Sequence, residues 1–184
     1  SRNSLPSVSQ IQSINSFMKI KSNYDLLLRA QYLVELSEKF FSEEANNNPQ
    51  LEILIETINQ LSKTDHPDLV ILVYEFELLK SHGFGLRIFE CLNCSKSLTK
   101  SSNYFSYTNG GFYCESCLGE VHANEELVKF SVEDQVIFRS IERKAYNELL
   151  NLDIKDLSIK KLSGTLRKSI SNVLGVQLKT SRFL

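Results

Sequence analysis

The residues best suited to chemistry are the chain's four cysteines, which fall as two pairs, Cys91-Leu-Asn-Cys94 and Cys114-Glu-Ser-Cys117, with nineteen residues between them. A tetrahedral zinc ion takes four soft or borderline ligands, and two tight turns deliver them at this spacing. Backbone N–H groups in each turn can donate to the thiolates and spread their charge. Two disulfides would fit the count, but the chain has no secretory signal and is large enough to build a core without staples. A redox pair or an iron–sulfur centre could use the same side chains, yet two pairs around one hairpin match a single ion better. Four cysteines also close the coordination sphere and leave no position for a reactive water. The expectation is one structural Zn2+ on Cys91, Cys94, Cys114 and Cys117.

No catalytic constellation accompanies the cysteines. His66 precedes a proline, His82 follows a helical stretch, and His122, weighed as a fifth ligand candidate, lies just beyond the second pair. None is spaced with a nucleophile or carboxylate in a working pattern, and there is no phosphate-cradling glycine loop. The pairs Glu43-Glu44 and Glu125-Glu126 read as solvated surface. The expectation is a protein that is not an enzyme.

The elements that must position the cysteines read mainly as helix. Between the pairs, Tyr104-Phe-Ser-Tyr-Thr-Asn-Gly-Gly-Phe-Tyr113 alternates aromatics around Asn109-Gly110, the signature of a β-hairpin with a type I′ turn. Upstream, Leu26, Leu27, Ala30, Leu33, Val34 and Leu36 recur at helical intervals from Tyr24 to Phe41. Asn46-Asn-Asn-Pro49 breaks that helix, and Asn48 with Pro49 starts a second, to about residue 63, presenting Leu51, Ile53, Leu54, Ile58 and Leu61. A third, after His66-Pro67, is almost continuously apolar from Leu69 to Leu79 and is expected to be the most buried; Gly83 and Gly85 end it. Beyond the cysteines, Ser131-Val-Glu-Asp134 reads as a helix start carrying Val136, Ile137, Ile141 and Tyr146 inward. After Asn151-Leu-Asp, a last helix over 157–174 stripes Ile159, Leu162, Leu166, Ile170, Val173 and Leu174 before Gly175. The fold class is therefore mainly α, a helical bundle with an inserted four-cysteine hairpin module. The expected division is 1–20 a tail or connector, 21–89 the first part of the bundle, 90–119 the metal module and 120–184 the second part.

Composition sets the context. The chain has 42% hydrophobic and 23% charged residues and a formal net charge of −1, an ordinary globular balance. No apolar run is long enough to cross a membrane, and cysteines confined to a metal pattern point to a reducing, cytoplasmic compartment. The charge is uneven, with seven Lys or Arg against one acid in residues 155–184. Lys160, Lys161, Arg167 and Lys168, followed by Lys179 and Arg182, form a candidate surface for DNA phosphates or an acidic peptide. Its competing reading is a solvated helix face. Tyr104, Tyr107, Phe112 and Tyr113 could stack on bases, but read more readily as packing for a small module.

The block Tyr74-Glu-Phe-Glu-Leu-Leu-Lys-Ser-His-Gly-Phe-Gly85, followed by the two cysteine pairs, resembles the RecO family of bacterial recombination mediators. The ending Leu178-Lys-Thr-Ser-Arg-Phe-Leu184 and the helix around Ala30, Tyr32 and Glu35 are similar to that family too. The resemblance spans about residues 10–184. It implies a DNA repair and homologous recombination role: binding single- and double-stranded DNA, annealing strands, and helping RecR load RecA on DNA coated by single-strand-binding protein. Implied partners are RecR, the acidic C-terminal tail of single-strand-binding protein and DNA, with no membrane, in the bacterial cytoplasm at the nucleoid. Residues 1–20 would be the end and connector of the family's OB-fold; the opening Ser1 predicts a segment upstream. Two other classes remain: a zinc-stabilised interaction module that touches no nucleic acid, and a zinc-ribbon enzyme subunit completed by another chain.

Overall fold

A computed structural model describes residues 9–41, 48–121, 124–143, 146–149, 154 and 156–184. Seven helices occur among them: α1 Met18–Lys21, α2 Tyr24–Phe40, α3 Asn48–Leu61, α4 Pro67–Ser81, α5 Val132–Arg143, α6 Tyr146–Leu149 and α7 Asp156–Leu174. Local chemistry sets their ends. The Asn23 side chain accepts from the N–H groups of Asp25 (3.0 Å) and Leu26 (3.2 Å) to start α2. Pro67 opens α4, and Gly83, at φ 83°, turns the chain out of it. Ser131 Oγ accepts from Asp134 N–H (3.1 Å) while Asp134 accepts from Ser131 N–H (3.3 Å), so α5 begins with the reciprocal cap its sequence promised. Gly175, at φ 66°, follows α7.

The apolar segment Leu69–Leu79 forms the central helix. It packs against α2, α3, α5 and α7, which is why nine of its residues are buried. The stripe Ile159, Leu162, Leu166 and Ile170 of α7 is buried, whereas Val173 stays partly exposed. α3 departs from expectation. Leu54 and Leu61 are buried, but Leu51, Ile53 and Ile55 are each 45–47% exposed, because only one narrow face of α3 meets α2 and α4. α5 turns Phe138 and Ile141 inward and leaves Val136 outside. The Glu43-Glu44 pair, Asn46, Asn47, His122 and the Asn151-Leu-Asp segment lie outside the described residues, as do the side chains of Asn48 and Tyr146.

The inserted module is more than a hairpin. A four-stranded sheet contains β1 Arg87–Cys91, β2 Asn103–Ser106, β3 Gly111–Tyr113 and β4 Leu127–Phe130 in the order β1-β3-β2-β4. β2 runs antiparallel to both β3 and β4, and β1 runs parallel to β3. "Mainly α" is therefore only part of the description: the chain pairs its helices with a small sheet. The β2–β3 turn is also not the expected type I′. It spans four residues, Tyr107 to Gly110, and only Gly110 has a positive φ (59°). Ser106 organises it instead, its carbonyl accepting from Gly110 N–H (3.1 Å) and its hydroxyl from Asn109 N–H (2.9 Å).

The sheet is fused to the helices by aromatics. Phe105, Phe112 and Phe130 are fully buried and meet Phe138 of α5, with neighbouring ring centroids 5.2–6.0 Å apart. Phe76 of α4 joins at 6.1 Å. Edge and tilted contacts of this kind add roughly 0.5–1.5 kcal/mol per pair beyond area burial. The Phe112 ring is thus committed to the core and is not a stacking platform.

Candidate metal centre and basic flank

Each cysteine pair sits where backbone geometry fixes it. Cys91 ends β1, and the chain folds back at once: Ser95 N–H donates to Cys91 O (3.0 Å) and Cys91 N–H to Lys96 O (2.9 Å). Ser95 takes a left-handed φ of 55° to complete this knuckle. The second pair opens a 3-10 turn, Glu115–Glu120, with Cys117 N–H donating to Cys114 O (3.0 Å). The turns meet because β3 lies directly against β1. At Gly111 a Cβ would stand 2.8 Å from Arg87 O and 2.9 Å from a Leu92 methyl, so only glycine fits. That close approach brings Cys114 N–H to Cys91 Sγ at 3.4 Å.

The four Sγ atoms all lie within 4.8 Å of one another, and Cys94 Sγ and Cys114 Sγ are 3.9 Å apart. Tetrahedral metal–sulfur bonds of about 2.3 Å require sulfurs about 3.8 Å apart, so the cluster fits one ion. A disulfide needs about 2.0 Å, and all four cysteines are free thiols. Burial opposes the Cys91 thiolate, but N–H groups of Cys114, Cys94 and Asn93 outweigh it and bring the group to about 6. Cys117 goes the other way. The Asn93 side chain favours its thiolate, but the neighbouring sulfurs and burial together push it to about 11. Four thiolates packed this closely repel one another, and a cation at their centre removes the conflict. The donor set is compatible with zinc and is complete without a fifth ligand.

The structure places the six cations of the basic flank in three different settings. Arg167 turns inward, 20% exposed, with Nε 3.3 Å from Oε1 of Glu75. Lys161 donates to Asp134 Oδ2 (2.6 Å) and Lys129 O (2.9 Å), and its ammonium lies 4.5 Å from the Phe130 ring centre. Lys168 pairs with Glu126 and sits 4.3 Å over the Tyr107 ring. Lys160, Lys179 and Arg182 are exposed. Lys160 lies on α7, while Lys179 and Arg182 belong to the C-terminal turn Thr180–Phe183 and its leading residue, so the six come from two elements.

Residues that sequence reasoning missed explain these settings. Glu75 is fully buried within α4, accepts from Tyr32 Oη at 2.6 Å, and meets Arg167 on its other side. Burial raises its carboxyl to about 7, although Arg167 and the Tyr32 hydroxyl hold it down. Oε2 of Glu75 has no hydrogen-bond partner among the described residues. Glu35 on α2 accepts the N–H groups of Lys179 and Thr180, both at 2.9 Å, and the Thr180 hydroxyl, pinning the C-terminal turn. Glu75 lay hidden among apolar residues; its signal was a carboxylate in the middle of an almost continuously apolar helix.

A helical core carrying a small sheet, with four cysteines clustered closely enough to hold one metal ion and with cations on its flank, defines a helical domain with a candidate structural metal site. The chain belongs to the RecO family: the sequence profile described as "Recombination protein O C terminal" matches residues 21–182. It is 30% identical over 174 residues to the DNA repair protein RecO of Dehalococcoides mccartyi (strain CBDB1), covering 94% of this chain and 67% of that relative. The DNA repair protein RecO of Caldicellulosiruptor saccharolyticus is 29% identical over 174 residues, 95% of this chain and 64% of its own length. That of Bacillus mycoides is 26% identical over 183 residues, 98% and 71% respectively. The chain thus spans about two thirds of these relatives. Membership supports a place in DNA repair and recombination. Among the described residues, no helix is long and apolar enough to cross a membrane.

Proposed function

We propose that this chain is the helical, metal-stapled part of a non-enzymatic recombination mediator that binds and anneals single-stranded DNA and helps RecR load RecA on DNA coated by single-strand-binding protein. The observation that carries the reading is the family match across nearly the whole chain, with the cysteine cluster directly after the α4 block. Cys91, Cys94, Cys114 and Cys117 would hold one structural Zn2+, whose chemistry is to neutralise the thiolates and lock the turns together. RecR, the acidic tail of single-strand-binding protein, and single- and double-stranded DNA are the partners this reading assigns, in the bacterial cytoplasm. Lys160 and Arg182, exposed and free of carboxylate partners among the described residues, are the cations best placed for phosphates, with Lys179, exposed but beside Glu35, next to them. Lys161 and Lys168 would add to that surface from its edge, and Arg167 would act through α7 by holding the helix on Glu75.

The inward pairing of Arg167, Lys161 and Lys168 favours a second reading, a protein-interaction module without its own nucleic-acid binding. One titration separates the two. Labelled single-stranded DNA is added at several salt concentrations to the protein and to its K160E/K179E/R182E variant. The mediator reading expects weaker binding by the variant and a salt slope reduced by roughly one for each phosphate the variant no longer engages. Identical affinity and slope, or no binding by either protein, would favour the interaction module.

A further inference from the structure

α3 and α4 do not close against each other along their outer edges. Pro49, Glu52, Ile53, Glu56, Thr57 and Gln60 form one stripe of α3, and a groove of about 620 Å³ separates it from a stripe of α4. The floor is apolar: Ile53, 47% exposed, faces Val70, Val73 and the Tyr74 ring. The rim is acidic, with Glu52 and Glu56 on the α3 side and Glu77 on the α4 side. Among the described residues no Lys or Arg pairs with any of these three. Glu56 accepts only from Gln60 Nε2 (2.6 Å), and the nearby Thr57 hydroxyl is spent on Ile53 O (2.7 Å). Beside the groove, Gln50 Oε1 is a buried acceptor with no donor among the described residues. The rim therefore offers acceptors and negative charge, and asks for donors and positive charge.

We propose that this groove docks a basic amphipathic helix of a partner protein, its apolar stripe on the Ile53–Val73 floor and its lysines or arginines on Glu52, Glu56 and Glu77. The dimensions agree. From Pro49 to Gln60 the α3 wall runs about 16 Å at 1.5 Å per residue, three helical turns of a partner. A cavity of this size accepts a few apolar anchors, as helix-in-groove recognition uses at i, i+3, i+4 and i+7. An extended peptide has nothing to pair with here, because both walls are helices whose backbone groups are satisfied internally. An acidic peptide would meet three carboxylates of its own sign. The site is separate from the cysteine cluster and from the cations of α7, and does not depend on their role.

The test uses the full chain and two synthetic helical peptides of about fourteen residues, each with a leucine stripe, one flanked by lysines and its mirror by glutamates. A scrambled lysine peptide of the same composition controls for adhesion. Fluorescence anisotropy should show the lysine peptide binding and the other two not. The surface reversal E52K/E56K/E77K should weaken that binding by about tenfold or more and admit the glutamate peptide. Ile53→Ser, with the rim intact, should also weaken it, and circular dichroism checks that both variants fold. Absence of lysine-peptide binding, equal binding of the scrambled peptide, or indifference to both variants would overturn the proposal. So would a chain dimer, seen by sedimentation and abolished by Ile53→Ser, since a second copy would then be the occupant.

Discussion

Replacing Glu75 by Gln tests the energetics of the core most sharply. The carboxyl is fully buried, with Tyr32 donating to one oxygen and the other oxygen unpartnered among the described residues. Burial raises it from 4.5 to about 7 against the pull of Arg167. Folding therefore favours the protonated form, and the stability this group gives is fully present below pH 4.5 and lost as pH rises to 7. Two and a half pH units at about 1.4 kcal/mol each give about 3 kcal/mol. Glutamine keeps the shape and the acceptor for Tyr32 but cannot ionise, and Arg167, partly exposed, can still donate to it. Glu75→Gln should therefore match the native protein near pH 5 and be more stable near pH 8, by up to about 3 kcal/mol. The assay is urea unfolding of both proteins from pH 5 to 8 with zinc in excess, read as a difference so that cysteine titration cancels. Parallel curves, or a variant less stable than the native protein at pH 8, would refute the reasoning and show the Glu75–Arg167 pair to be net stabilising.

Other perturbations have defined outcomes. Gly111→Ala forces a methyl onto Arg87 O and should cost roughly 1–3 kcal/mol, with weaker metal retention measured by chelator competition. Ser131→Ala removes half of the reciprocal cap on α5 and should cost about 1 kcal/mol in denaturant unfolding. Glu35→Gln should speed hydrogen exchange at Thr180 without changing exchange in α4. The Glu35 carboxyl is held below its usual range, burial opposing but Thr180 and Lys179 prevailing. Docking of the C-terminal turn should therefore persist as pH falls to 4.5 and loosen only below, which amide shifts across a pH titration can follow.

What could be read from the sequence depended on how far apart the interacting residues lie. The α4 core, the Ser131 cap, the Gly175 stop and the cysteine pairs are encoded within a few residues, and each appears where its local pattern places it. The basic flank was harder, because its meaning is set by remote partners: Glu75 for Arg167, Asp134 for Lys161, Glu126 for Lys168. Strands β1 and β4 were also missed. Arg87–Cys91 and Leu127–Phe130 are short, and β-structure there comes from pairing with β3 and β2 rather than from any long alternation. The exposure of Ile53 was invisible for a different reason. Helical periodicity shows that a stripe is apolar, but not whether a neighbour covers all of it.

The claim at the centre of this account is that the cysteines form one closed, tetrahedral, structural metal site. Cobalt(II) substitution tests it directly. The metal-free protein, kept reduced and titrated with cobalt, should bind one ion per chain and develop the intense visible bands of a four-thiolate tetrahedral complex. Zinc should then bleach them. Weak bands typical of six-coordinate cobalt, a stoichiometry other than one, or disulfides among Cys91, Cys94, Cys114 and Cys117 in the freshly purified protein would contradict it.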